Sequence, residues 1–237
     1  MVRRNLLGIQ EEVIRLDFDT LYIDRSADFG AAGRFLLNIF KTFGSLKFYI
    51  YFCSMEVKEV SIISLSDLKK GLPGISPVEG ANLYENCIVR LHKNGISSDT
   101  ILKVDGLKSC EFSLLWDEEI NGQLERTYAD EQSLTERSAV GVSVLLALKL
   151  TDYTVIERSR KGTGFDYMLG LKDDILFTPK ARLEISGINK ETQDNSVISR
   201  YNSKIKQTDK SDDSGLPAYI SVVEFSMPKA LFGLKLD

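Results

Sequence analysis

The sequence has few of the side chains that usually bind transition metals or act as catalytic nucleophiles. It contains one histidine, His92, and three cysteines, Cys53, Cys87 and Cys110, none of which forms a CxxC pair. Zinc sites and disulfide frameworks need closely spaced ligands or paired cysteines, so we expect neither in this chain. A Ser-His or Cys-His catalytic pair would depend on His92 alone, and we interpret that residue as a solvated or half-buried strand residue.

The sequence also has no long apolar run and no strong excess of positive charge. No stretch approaches the roughly 20 apolar residues that a membrane-spanning helix needs, and the first residues lack a signal-peptide pattern. The net charge of −4 excludes a protein that is basic overall, although a local basic groove is compatible with it. We therefore expect a cytoplasmic protein that has no membrane partner.

The first half of the chain is rich in β-branched and aromatic residues. This composition predicts strands within residues 1–24, 46–65, 86–92, 100–104 and 110–116. Apolar side chains at helical spacing predict one helix over residues 28–43. Asn94–Gly95 and Asp105–Gly106 indicate hairpin turns. We interpret residues 1–125 as a β-rich domain with one helix that serves assembly or substrate selection.

The second half of the chain alternates helices with short strands. The pattern predicts a helix, three strands, a helix and a strand, at residues 133–150, 153–159, 164–170, 181–188, 195–207 and 219–225. Ser133 and Glu136 match a capping box at the start of the first helix. Pro228 is expected to stop the last strand and to leave a short tail. These elements would form a second domain over residues 126–237.

Two acidic residues, Asp166 and Glu184, fall inside predicted strands of this second half. Ionised carboxylates avoid burial unless they are paired or bound to a metal, and Asp is uncommon in strands. Because alternate residues of a strand share a face, the two acids can lie on one side of a sheet. Close carboxylates repel each other unless a cation or a shared proton relieves them. A divalent metal site is one interpretation, and a structural ion pair with Arg182 is the other.

The order of the six elements, with Gly164-Phe165-Asp166 in one strand and Leu183-Glu184-Ile185-Ser186 in the next, resembles the PD-(D/E)XK superfamily. The resemblance covers the C-terminal half of the chain. It implies an α/β (α+β) fold with the restriction-endonuclease-like core α-β-β-β-α-β. Members are mostly metal-dependent nucleases, so it implies hydrolysis of DNA phosphodiesters with Mg²⁺ or Mn²⁺, in restriction or phage defence.

The resemblance also implies roles for individual residues. Asp166 and Glu184 match the acids that bind the metal and carry the catalysis, and Glu136 matches an acid that some members place on the first helix. For Glu136 the capping box is the alternative role. Ser186 stands where the family motif has its lysine. We expect Lys204 to supply the missing amine, and the alternatives for that role are Lys206 and Lys161.

Basic residues accompany the acids, beside the first turn and on the second helix. They are expected to bind nucleic-acid phosphates, and a solvated charged surface is the alternative: Arg158, Arg160, Lys161, Arg200 and Lys206. The missing motif lysine supports a second hypothesis for the whole protein. A catalytically inactive member of the superfamily would bind nucleic acid or partner proteins within a larger complex. A partner protein or a second copy would bind through the N-terminal domain.

Overall fold

The computed structural model of the chain describes residues 60–235 and two short strands before them. These two strands, β1 (Val13–Ile14) and β2 (Ile50–Tyr51), pair with each other in antiparallel orientation. The chain divides into two compact units, Met1–Glu59 and Val60–Asp237. The helix predicted over residues 28–43 and most of the strands predicted before residue 60 lie outside the described residues. All of the candidate site residues belong to the second unit.

The second unit is a mixed α/β structure built on one eight-stranded sheet. Its strands are β3 (Ser61–Ser64), β4 (Thr100–Gly106), β5 (Cys110–Leu115), β6 (Tyr153–Arg158), β7 (Tyr167–Leu171), β8 (Ala181–Ile188), β9 (Ala218–Glu224) and β10 (Lys229–Leu234). Its helices are α1 (Pro77–Lys93), α2 (Gly122–Thr127), α3 (Glu131–Leu150) and α4 (Val197–Thr208). Short 3₁₀ helices cover Leu65–Lys70 and Asp209–Ser214. The strand order is β3-β5-β4-β10-β9-β8-β7-β6, which confirms the predicted α+β class at the level of a mixed sheet with helices.

The element order predicted for the second half of the chain is present as α3, β6, β7, β8, α4 and β9. β6, β7 and β8 form an antiparallel meander, and β9 returns parallel to β8 after α4. The two helices cover opposite faces of β8. Gly187 lies against Thr135 of α3, whereas Glu184 contacts Lys204 of α4, and residues three apart in a strand point to opposite faces.

The start of α3 differs from the predicted capping box. Asp130 caps the helix, because its carboxylate accepts a hydrogen bond from the Ser133 N–H at 2.7 Å. The Glu136 carboxylate accepts from the side-chain amide of Gln132 at 3.0 Å, one turn earlier on the same helix. The capping-box interpretation of Ser133 and Glu136 is therefore wrong, and it does not explain why an acid stands at position 136.

Residues 86–92 form a helix and not the predicted strand, because they continue α1. Ser76 caps α1 by accepting from the Glu79 N–H at 3.2 Å, and Pro77 occupies the first helical position. Residues 86–92 are too few and too apolar for their hydrophobic periodicity to distinguish a helix from a strand. The predicted hairpin turn at Asn94 is also wrong, because this residue caps the C-terminus of α1 and does not connect two strands. β4 and β5 do pair in antiparallel orientation, as the Asp105–Gly106 signal predicts.

The segment after Pro228 forms a strand and not a tail. β10 pairs antiparallel with β9 and parallel with β4, and Ala230 and Phe232 are buried. It therefore joins β3, β5 and β4 to the C-terminal strands β9, β8, β7 and β6 in one sheet. The predicted boundary after residue 125 falls inside the compact unit Val60–Asp237, and the division into two domains at that point stays a prediction.

Candidate functional site

Asp166 and Glu184 lie side by side at the point where β7 begins. Asp166 is the residue before β7, so it stands at the entry of the strand and not inside it as predicted. Its N–H donates to the Leu183 carbonyl at 2.9 Å, and its Oδ2 accepts from the Ile185 N–H at 2.8 Å. These two bonds, to the residues on either side of Glu184, hold the Asp166 carboxylate against β8 beyond the end of its pairing with β7.

Glu184 is buried on the α4 face of β8 and is only 1% exposed. The Lys204 ammonium donates to its Oε1 at 2.5 Å, and the side-chain amide of Gln207 donates to the same oxygen at 2.8 Å. Lys204 also donates to Gln207 Oε1 at 3.0 Å. The other carboxylate oxygen, Glu184 Oε2, is buried without a hydrogen-bond partner. One oxygen of the carboxylate is therefore held by α4, and the other is an unsatisfied acceptor.

The two carboxyl groups both have raised pKa values. Burial is the largest cause at Glu184, and the neighbouring Asp166 adds to it, so the pKa of Glu184 rises to about 7 although Lys204 opposes the shift. Burial also raises the pKa of Asp166, against the opposing effects of the Ile185 N–H and Lys204. A side-chain hydrogen bond between the two carboxyl groups also lowers the pKa of Asp166 and raises that of Glu184. Their repulsion can therefore be relieved by a proton that they share or by a cation bound between them.

A cleft of about 460 Å³ opens beside Asp166. Residues of α1, α3, β6, β7, β8 and α4 line it, and they include Ser186 at the motif-lysine position. The charged side chains that line it are Glu136, Arg137, Arg158, Asp166, Arg200 and Lys204. Four basic side chains from three elements and two acidic ones line this cleft, so its lining has an excess of positive charge, which favours an anionic ligand.

The structure brings most of the predicted site residues to this cleft. Five of them line it: Glu136, Arg158, Asp166, Arg200 and Lys204. A sixth, Glu184, is buried next to Asp166. Arg160 and Lys161 are exposed in the connection between β6 and β7, and Lys206 is exposed on α4. These three are not among the residues that line the cleft, so Lys204 is the lysine that the structure places at the acids.

Arg182 does not pair with either acid, so the structural ion pair considered from the sequence is wrong. Its guanidinium donates to the carbonyls of Thr208 and Leu216, to Ser211 Oγ and to Asp212 Oδ1. Although Arg182 and Glu184 share a face of β8, the arginine is bound by the segment that follows α4. The two acids are therefore left to Lys204, Gln207 and the backbone of β8.

The fit of a metal to this site rests on two carboxylates. Among residues 60–235 and the two short strands before them, no three His, Cys, Asp or Glu side chains gather closely enough to hold an ion. Glu136 lines the cleft without joining Asp166 and Glu184 in such a cluster. Mg²⁺ is commonly bound through only one or two carboxylates together with water and phosphate, and the unpartnered Glu184 Oε2 is an oxygen of the type that it prefers.

Arg137 is a cleft residue that the sequence analysis missed. It lies on α3, and its guanidinium is held by Asn82 and Glu79 of α1. Arg137 stands next to Glu136 in the polar first part of α3, so its charge did not stand out in the sequence. Its contacts with α1 could not be predicted either, because part of α1 was predicted as a strand.

Comparisons with protein-family models, with curated proteins and with solved structures gave no match for this chain. In the part of the chain that the structure describes, no helix is long and apolar enough to cross a membrane.

Proposed function

We propose that this protein is a metal-dependent nuclease that hydrolyses DNA phosphodiesters in the cleft beside Asp166. The observation that carries the proposal is the convergence of Asp166, Glu184 and Lys204. The Lys204 ammonium lies 2.5 Å from Glu184 Oε1, which supplies the positive charge that Ser186 lacks. The order α3-β6-β7-β8-α4-β9 supports the restriction-endonuclease-like core that the resemblance implies.

Asp166 and Glu184 would hold a Mg²⁺ or Mn²⁺ ion between them. Their raised pKa values and the unpartnered Glu184 Oε2 support this part of the proposal, because burial disfavours two neighbouring ionised carboxylates unless a cation binds them. Such an ion, when bound, lowers the pKa of a coordinated water and stabilises negative charge on the phosphate. The role of Glu136 as a further ligand stays a prediction.

The basic residues of the cleft would bind and orient the substrate. Lys204 is fixed between Glu184 and Gln207, so its ammonium is already positioned for the charge that develops on the attacked phosphate. Arg158 is exposed at the end of β6, and among the described residues no side chain forms a hydrogen bond or ion pair with it. Arg158 and Arg200 line the same cleft and would hold neighbouring phosphates.

A cleavage assay tests this proposal directly. The full-length protein is incubated with single- and double-stranded DNA and with RNA, in Mg²⁺, in Mn²⁺ and in EDTA. We expect cleavage that requires the metal and falls about a thousandfold in Asp166→Asn and in Glu184→Gln. Glu119→Gln, an exposed carboxylate outside the cleft, is the matched control and should cleave normally. Cleavage that survives both site variants would overturn the proposal.

A second candidate is a catalytically inactive member of the same superfamily that binds nucleic acid or partner proteins. Ser186 favours this second candidate, because its neutral hydroxyl cannot stabilise the negative charge of a phosphate as the motif lysine would. Binding of nucleic acid without cleavage in any metal would support this candidate over the nuclease. Involvement in restriction or phage defence, a cytoplasmic location and contacts through the N-terminal residues stay predictions under both candidates.

A further inference from the structure

Arg137 presents part of its guanidinium to the cleft in a fixed orientation. Its Nε and Nη2 donate to Asn82 Oδ1 at 2.9 and 2.6 Å, and Nη2 also donates to Glu79 Oε1 at 2.8 Å. These bonds use one side of the planar group, and none of them uses Nη1. The α1 helix therefore orients Arg137 while leaving donors for a ligand.

Arg200 is held in the same way from the other side of the sheet. Its Nε and Nη2 donate to Asn195 Oδ1 at 3.2 and 2.8 Å, and again none of these bonds uses Nη1. Arg137 comes from α3 and Arg200 from α4, and both line the cleft beside Asp166. Donors that are oriented before binding lose less side-chain entropy when the ligand arrives, so the two arginines form a prepared pair of phosphate contacts.

The size and depth of the cleft restrict what can reach the acids. Its volume of about 460 Å³ is in the range of pockets that hold single small molecules. Asp166 and Lys204 line the cleft, whereas Glu184 is 1% exposed and lies behind them, so a phosphate must enter the cleft to approach the acids. A continuous DNA duplex is stiff, with a persistence length of about 50 nm, so bending its backbone into a small cleft costs several kcal/mol. An unpaired strand can bend into the recess one nucleotide at a time.

We propose that the cleft binds an unpaired nucleic-acid strand, including a frayed or overhanging end, in preference to continuous duplex. Arg137 and Arg200 hold phosphates on the two sides of Asp166. For the cleavage of that strand the inference rests on the proposed nuclease function, whereas its binding can be measured without any reaction.

Fluorescence anisotropy of the full-length protein in EDTA tests the binding. The probes are a fluorescein-labelled strand of 20 thymidines, the same strand annealed to its complement, and a strand of 20 uridines, each at several salt concentrations. We expect both single strands to bind at least about tenfold more tightly than the duplex. Arg137→Gln should weaken single-strand binding about tenfold. The slope of the logarithm of the binding constant against the logarithm of the salt concentration should become shallower by about 0.7, as expected for one lost phosphate contact on a single strand.

Two control variants separate a phosphate contact from a structural role of Arg137. Glu79→Gln removes the ion pair of Arg137 but keeps the guanidinium and removes a competing acid, so single-strand binding should be unchanged or tighter. Arg126→Gln changes an exposed arginine on α2 and should have no effect on binding. Thermal unfolding of each variant confirms that the comparison is made on folded protein.

Three results would overturn the inference: duplex binding as tight as single-strand binding, equal loss in Arg137→Gln and Glu79→Gln, or no binding of either strand. Addition of Mg²⁺ to the same mixtures separates this inference from the proposed function. Single-strand binding without cleavage supports the inference and removes the nuclease. Cleavage inside a duplex as fast as cleavage of the single strand supports the nuclease and overturns the inference.

Discussion

Arg182 and Glu184 lie two residues apart on the same face of β8, and they are 3% and 1% exposed. The guanidinium of Arg182 has hydrogen bonds to four different groups around the end of α4 and the segment after it. Glu184 has one oxygen without a partner, and its pKa is raised to about 7. The buried charge of Arg182 is fully paired and stabilises the fold, whereas the buried carboxylate of Glu184 is paired through only one of its two oxygens. We proposed a ligand site at Glu184 because of this difference.

The largest expected effect on stability follows from removing the well-paired charge. Arg182→Met leaves the buried carbonyls that it binds without a donor, so we expect the free energy of unfolding to fall by about 4 kcal/mol. Urea unfolding at pH 7.5 measures this loss. Arg126→Met, at an exposed arginine, is the control and should unfold like the wild type. A loss in Arg182→Met no larger than in the control would show that Arg182 is not a structural residue.

The second effect has the opposite sign and depends on pH. The pKa of Glu184 is about 7 in the folded protein against an ordinary 4.5, so the folded state is favoured below pH 4.5 and loses that advantage as pH rises through 7. Glu184→Gln does not ionise, and its stability relative to the wild type should therefore grow by about 3 kcal/mol between pH 4.5 and pH 8.

Urea unfolding in EDTA across this pH range measures the difference between Glu184→Gln and the wild type. Glu119→Gln, at an exposed acid, should show no such trend. A stability difference between Glu184→Gln and the wild type that stays constant from pH 4.5 to pH 8 would mean that burial does not disfavour the ionised Glu184. The comparison of Glu184 with the fully paired Arg182 would then be wrong.

The smallest effect is the response of the folded protein to the metal. At a concentration ten times its dissociation constant, Mg²⁺ should add about 1.4 kcal/mol to the stability of the wild type. The gain should be smaller at pH 6 than at pH 8, because Glu184 must lose its proton to bind the ion. Thermal unfolding measures both values, and Asp166→Asn should show no gain at either pH. An equal gain in that variant would place the ion elsewhere.

Asp166 and Glu184 could be found from the sequence because they interrupt short segments that are mostly apolar, one just before β7 and one inside β8. Lys204 was predicted because Ser186 stands at the motif-lysine position and the helix that follows β8 carries lysines. The contacts among these three residues are between elements that are neighbours along the chain. The range 181–188 of β8 was predicted correctly, whereas β7 begins three residues later than predicted. A short run of β-branched and apolar residues between turns determines the presence of a strand locally.

The partners of Arg182 and Arg137 could not be predicted, because they depend on where distant segments return. Arg182 is bound by residues up to Leu216, and the sequence does not show that this segment folds back over β8. Arg137 depends on α1, more than fifty residues earlier. The β10 strand was missed because its pairing partners, and not its own residues, make it a strand.

The position of β10 also determines how the molecule can fold. Its pairing of Lys229 with Lys103 joins residues more than one hundred positions apart, and such contacts close slowly because a long loop must be ordered first. Until β10 inserts between β4 and β9, the eight-stranded sheet exists only as two separate parts with open edges. We therefore expect the two parts to become protected from hydrogen exchange together, in the slowest step of folding.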